Sequence, residues 1–146
     1  MLIRDNKDRD AFIEKAMQVD LSKGAWVFEA KKYKKDRSLA QNRLSFKWYS
    51  ELGKHSGNGS KHERNYCKFT YGCEILARDD EQFAAFFENL INSYDYEACV
   101  DAMDFIQVTS LFNVKQFTEY LECIERYAGE NGWILTHPVE YDEAMY

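Results

Sequence analysis

The stretch AWVFEAKKY, residues 25–33, decides the fold class. Trp26 and Phe28 alternate with Val27 and Glu29, and an extended chain points successive side chains to opposite faces, so the spacing predicts a strand. Upstream, Phe12, Ile13, Ala16 and Met17 recur at helical spacing and predict an opening helix over about Asp8–Asp20 that packs by that stripe. Ser22, Lys23 and Gly24 separate it from the strand. Downstream the strand end turns strongly basic and runs into a second helix. Ser38 followed three residues later by Gln41 is a capping box, in which each side chain satisfies an orphan backbone donor of the other, and the helix continues to about Lys54.

The rest of the chain reads as alternating helices and short strands. The GNGS segment (57–60) is a turn, and HERNYCKFTYG (62–72) reads as a short helix closed by Gly72. In DDEQFAAFFENLI (79–91) the residues Phe83, Phe86, Phe87, Leu90 and Ile91 form an apolar face, with acids at the positive end of the helix dipole, and predict a core helix. Asn113 with Gln116 opens another helix, striped by Phe117, Tyr120, Leu121, Ile124 and Ala128 and ended by Gly129 and Gly132. DFIQVTS (104–110) and GWILT (132–136) are candidate second and third strands. The class expected is therefore α+β: a single helix-rich domain over residues 1–146 with a small β-sheet.

At 146 residues, 45% of them apolar, one domain could bury roughly two-thirds of its unfolded surface. The opening MLIRDNKDRD lacks the apolar core of a secretory signal, and no apolar run approaches the ~20 residues that span a bilayer, so an intracellular, cytoplasmic protein without membrane contact is expected. The cysteines at 67, 73, 99 and 123 contain no CxxC pair, which writes neither a zinc ribbon nor a thioredoxin-like motif. A zinc cluster of His62, Cys67 and Cys73, with His55, matches no closed tetrahedral spacing, and buried free thiols are the simpler expectation.

No catalytic constellation is written either. The three histidines, His55, His62 and His137, have no nucleophile at a recognisable spacing, and there is no glycine-rich phosphate loop or G-x-S-x-G elbow. Asp79, Asp80 and Glu81 resemble a metal-dependent nuclease only loosely, because three adjacent acids cannot share one helical face and acids are expected where a helix opens. The expectation is a binding protein with no cofactor.

The net charge of −6 conceals a division. Residues 1–78 hold 17 Lys and Arg against 10 Asp and Glu, whereas residues 79–146 hold 2 against 15. Such asymmetry suits a chain that presents one surface to a polyanion and another to a different partner. The basic centre is KKYKKDRSLAQNR (31–43), where Lys31, Lys32, Lys34, Lys35 and Arg37 surround Tyr33 and lead into a helix start. Cations release condensed counterions, an aromatic face stacks a base, and free N–H groups at a helix start point at anions. At about 100° per residue, Arg43, Lys47 and Lys54 share one narrow sector of the helix, while Leu44, Trp48 and Leu52 face the core. Phe46 and Leu39 lie beside the basic sector, next to Asn42, so Phe46 is the stacking candidate and Trp48 the core residue. The competing structural reading is a solvated lysine-rich strand edge that discourages sheet pairing. Gln41 has a sufficient explanation in its capping box; Asn42 does not, and suits a phosphate or base contact.

RSLAQNR (37–43), followed by an aromatic-bearing helix, resembles the signature of the NinB (Orf) family of phage recombination proteins. YCKFTYGCEIL (66–76) and DFIQVTSLFNVKQFTEYLECIERYAGENGWILTHP (104–138) resemble later segments of longer relatives, in the same order. The resemblance implies a small α+β protein, usually a homodimer, that binds single-stranded DNA in a bacterial host. It implies a recombination mediator that helps a recombinase or annealing protein reach DNA coated by host single-strand-binding protein. By motif position, Arg37, Ser38, Gln41, Asn42 and Arg43 match the polar signature, with Phe46 where the family has an aromatic. The rival expectation is a protein-interaction module whose cations receive the acidic tail of the single-strand-binding protein.

Overall fold

The computed structural model describes residues 1–30 and 39–137. The chain divides into two compact units, Met1–Lys34 and Lys35–Tyr146.

In the first unit, α1 (Asn6–Met17) starts where the Asp5 side chain accepts the Asp8 amide at 2.8 Å, and Arg4 pairs with Asp8 at 3.0 Å. The predicted stripe of α1 is only half used: Phe12 and Ala16 are half-buried, whereas Ile13 and Met17 are exposed. Phe12 meets Phe28 edge-on at 5.6 Å, and the Trp26 indole donates to the Asp20 carbonyl.

The second unit is a helical assembly of α2 (Leu39–Ser56), α3 (Ser60–Cys67), α4 (Cys73–Asp79), α5 (Glu81–Ser93), α6 (Tyr96–Ala102) and α7 (Val114–Glu130). Its core is the apolar stripe of α2 (Leu44, Trp48, Leu52) packed on the stripe of α7 (Phe117, Tyr120, Leu121, Ile124, Ala128), as the 3.6-residue spacing predicts. The Asn113–Gln116 capping box that opens α7 is present, with Gln116 N to Asn113 Oδ1 at 2.8 Å and Asn113 N to Gln116 Oε1 at 3.0 Å. Burying side chains the size of Trp48 and Phe117 contributes about 1.5–3 kcal/mol each.

The small β-sheet is absent: the described residues contain no strand, and the class is all-α rather than α+β. Residues 25–30 hold no ladder, and Trp26, Val27 and Phe28 are all exposed, so neither face of that segment is covered; the remainder of the predicted strand lies outside the described residues. The other two candidates do alternate. Ile106 and Val108 turn inward while Phe105 and Gln107 turn out, and Trp133 and Leu135 turn inward while Ile134 and Thr136 turn out. Neither segment is a strand: 104–106 is turn and bend leading through Val108, in the αR region, into a 3-10 turn at Thr109–Leu111, and 133–137 is irregular chain packed on helices, so alternate burial arises here without a ladder.

Two further expectations change. Gly72 closes no helix, because α3 passes through one π-helical turn, Lys68–Gly72, directly into α4. A Cβ on Gly72 would lie 2.7 Å from Val108 Cγ1, so the missing side chain admits the Val108 segment. Similarly, a Cβ on Gly53 would stand 2.4 Å from the backbone of Gly59 and Ser60, which sets how sharply α2 turns into α3. Helix α5 is marginal rather than central: Phe83, Phe87 and Leu90 lie against the core, but Phe86 and Ile91 are exposed. Among the described residues, no helix is long and apolar enough to cross a membrane.

Candidate nucleic-acid interface

Helix α2 is fixed on its inner face by more than apolar packing. Gln41 is fully buried, and its Nε2 donates to the Val114 carbonyl at 3.2 Å and to Thr118 Oγ1 at 2.9 Å, tying the first turn of α2 to the first turn of α7. Thr118 in turn donates to the Val114 carbonyl. Lower on the helix, the Trp48 indole donates to the Thr136 carbonyl at 2.8 Å, Glu51 accepts the Thr136 amide at 2.8 Å, and His55 Nε2 donates to the Ile134 carbonyl at 3.1 Å. His55 also stacks on Trp133 at 6.0 Å. Residues 133–136 are thereby strapped along α2.

The outer face carries the predicted contact groups. Arg43, Phe46 and Lys47 are exposed, Asn42 is half-buried beside them, and Lys54 is exposed farther along. Arg43 and Lys47 make no ion pair with any described residue. Phe46 is 56% exposed and meets Tyr49 in a T-shaped contact at 6.0 Å. Residues i and i+4 neighbour each other on a helix, which places the Arg43 and Lys47 charges side by side. Such a face can hold a phosphate between two cations and offer an adjacent ring to a base.

The sequence-predicted site is thus divided. Lys31, Lys32, Tyr33, Lys34, Lys35, Arg37 and Ser38 lie outside the described residues, and so does the Ser38 half of the proposed capping box. Gln41 is inside the protein, out of reach of a ligand, and serves the α2–α7 junction. Arg43, Phe46, Lys47 and, in part, Asn42 remain on one accessible surface.

Asp79 and Asp80 have structural roles. Asp80 caps α5 by accepting the Gln82 and Phe83 amides, and Asp79 accepts from Arg78 and Gln116, which hold its carboxyl far below the usual range. Cys67 and Cys73 are buried; burial pushes the Cys67 thiol well up and that of Cys73 to about 12, so neither offers a thiolate near neutrality. Among the described residues, no group of three His, Cys, Asp or Glu side chains is placed to hold a metal ion.

Apart from the outer face of α2, the second unit carries a concavity of about 500 Å³. Glu63 and Tyr66 from α3, Tyr96, Glu97 and Asp101 from α6, and Tyr127 from α7 line it. The local spacing of Glu97 and Asp101 put both acids on one face of α6, but only the packing of three helices brings them to Glu63 and the tyrosines.

No family model matches the chain, and neither a curated protein nor a solved structure matches it.

Proposed function

We propose that this chain is a phage or prophage recombination mediator that binds single-stranded DNA through the outer face of α2. In this reading it helps a recombinase or annealing protein reach DNA coated by host single-strand-binding protein, as the resemblance to the NinB family implies. The observation that carries the reading is that Arg43 and Lys47, which have no ion-pair partner among the described residues, stand beside the exposed Phe46 on a helix whose opposite face is locked into the core. A rigid backing matters, because a contact group held in place loses little freedom when the strand arrives.

No bond is made or broken. Arg43 and Lys47 neutralise phosphates and release their counterions, while Phe46 stacks a base without reading its identity. The excess of acids after residue 78 repels the strand and confines it to the basic side.

Fluorescence anisotropy of a labelled oligonucleotide, titrated at two salt concentrations, tests this. Affinity should fall with salt at a log–log slope of about −0.7 per phosphate contacted. An acidic peptide added as competitor should displace the oligonucleotide if both use the same cations. Absent or salt-independent binding would overturn the reading, and peptide binding without any oligonucleotide response would assign the cations to the tail of the single-strand-binding protein instead.

A further inference from the structure

The concavity between α3, α6 and α7 has the opposite character to the outer face of α2. Its floor is made by Glu63 and Val100, which are 2% and 7% exposed, and its walls by the half-buried Tyr66 and Tyr127. Tyr96, Glu97 and Asp101 form an exposed rim. No lysine or arginine lines it, and His62 is its one basic side chain.

Glu63 is the telling residue. Its Oε2 accepts the Tyr127 hydroxyl at 3.0 Å, and among the described residues this is its only hydrogen bond; no cation pairs with it. The residue lines the cavity. Removing a carboxylate from water without a counterion is costly. Its place in the first turn of α3 gives partial compensation through the helix dipole, but no discrete positive charge. The ring faces of tyrosine attract cations, and carboxylates bind ammonium and guanidinium groups through short, charge-assisted hydrogen bonds. Phosphate and other anions would meet three carboxylates here and are excluded by the same charges. The volume lies within the roughly 300–1,000 Å³ of small-ligand sites.

We propose that this cavity binds an organic cation, whose ammonium or guanidinium group pairs with the Glu63 carboxylate at the floor and is enclosed by Tyr66, Tyr96 and Tyr127. Glu97 and Asp101 at the rim attract it and, for a ligand charged at both ends, hold the second charge. The site is independent of the DNA-binding reading, since it uses neither the face nor the charge sign of α2.

Isothermal titration calorimetry on the full chain tests this with two probes, putrescine and N-acetyl-arginine methylamide. At least one should bind saturably, one to one, with a Kd on the order of millimolar or tighter. Glu63→Gln, which keeps an oxygen for Tyr127, should weaken binding at least about tenfold, and Tyr96→Ala should weaken it by a smaller factor. Arg43→Ala should leave it unchanged. Circular dichroism checks the fold of Glu63→Gln; if that variant does not fold, the exposed Asp101→Asn decides in its place. Preference for the guanidinium probe identifies an arginine of a protein partner, and preference for the diamine identifies a free polyamine; either supports the site. No saturable binding of either probe, or undiminished binding by the deciding variant, overturns it.

Discussion

The hydroxyls of Tyr49 and Tyr120 stand 2.6 Å apart in the middle of the core, one carried by α2 and the other by α7. Both residues are essentially inaccessible to water, at 2% and 0% exposure. Burial drives both phenols well above their ordinary range, so each stays neutral and one donates to the other. The pair adds a second polar contact between the two helices to the one that Gln41 makes with Val114 and Thr118, and the two together fix register as well as separation.

Removing one member of this pair should cost more than removing both. Tyr49→Phe leaves the Tyr120 hydroxyl buried without its partner and should destabilise the fold by about 1–3 kcal/mol. Adding Tyr120→Phe takes away the stranded group and should recover part of that loss. Urea unfolding of the two single variants and the double gives the coupling directly; strictly additive losses would mean that the two hydroxyls do not depend on each other.

At the π-helical turn, Gly72→Ala should destabilise by about 1–3 kcal/mol through overpacking, because the new methyl carbon would fall 2.7 Å from Val108 Cγ1. Val108→Ala creates the missing space and should make Gly72→Ala far better tolerated when the two are combined. Thermal melting of the single and double variants measures this. An unaltered melting point for Gly72→Ala alone would show that the Val108 segment moves aside freely.

What could be read from sequence follows how local its cause is. The stripes of α2 and α7 and the Asn113 capping box depend on residues within a turn or two, and all of them are present. The strands are absent because alternate burial does not require a ladder; Ile106 with Val108, in a turn and 3-10 segment, and Trp133 with Leu135, in irregular chain, are buried against helices, and their apolar spacing alone does not distinguish this from a strand. Gly72 reads as a helix stop until Val108 is set against it. In the same way, Gln41 has a complete local explanation in its predicted capping box, yet its Nε2 reaches Val114 and Thr118 far along the chain. At the candidate interface, angular position alone separated Phe46 from Trp48 correctly, because both lie on one regular helix.

Asp104 ties α3 to the turn after α6 and should set part of the acid sensitivity of the fold. It accepts from Asn65 at 2.9 Å and pairs with Lys61 at 3.0 Å and Arg64 at 2.9 Å. Hydrogen bonds from Asn65 and Lys61, reinforced by the charges of Lys61 and Arg64, hold its carboxyl below the ordinary value of 3.8. A carboxyl whose pKa is lower in the folded state binds fewer protons there than when unfolded. Its stabilising effect is therefore present above 3.8 and is lost as the pH falls through the folded-state value. Asp104→Asn should lower the melting temperature near neutrality and flatten its decline in acid. Melting curves from pH 7 down to about 2.5 check this, and an equal acid slope in both proteins would remove Asp104 from the account.

Along α2, substitutions should separate binding from folding according to which side of the helix they touch. Gln41→Ala strands the Val114–Thr118 junction and opens a hole in the core, so it should cost roughly 1–3 kcal/mol of stability. Its effect on single-stranded DNA should be no greater than its effect on the folded fraction. Arg43→Ala and Lys47→Ala remove exposed charges that have no ion-pair partner among the described residues, and should change stability by no more than about 0.5 kcal/mol, as is usual for surface changes. Each should nevertheless weaken oligonucleotide binding and reduce the salt slope by about 0.7. Phe46→Ala should weaken binding by about 1–3 kcal/mol with the salt slope unchanged, because stacking releases no counterion. Melting curves combined with titrations at two salt concentrations resolve all four variants. If Arg43→Ala and Lys47→Ala both bind with the wild-type slope, the strand does not lie on this face of α2, whatever else the protein binds.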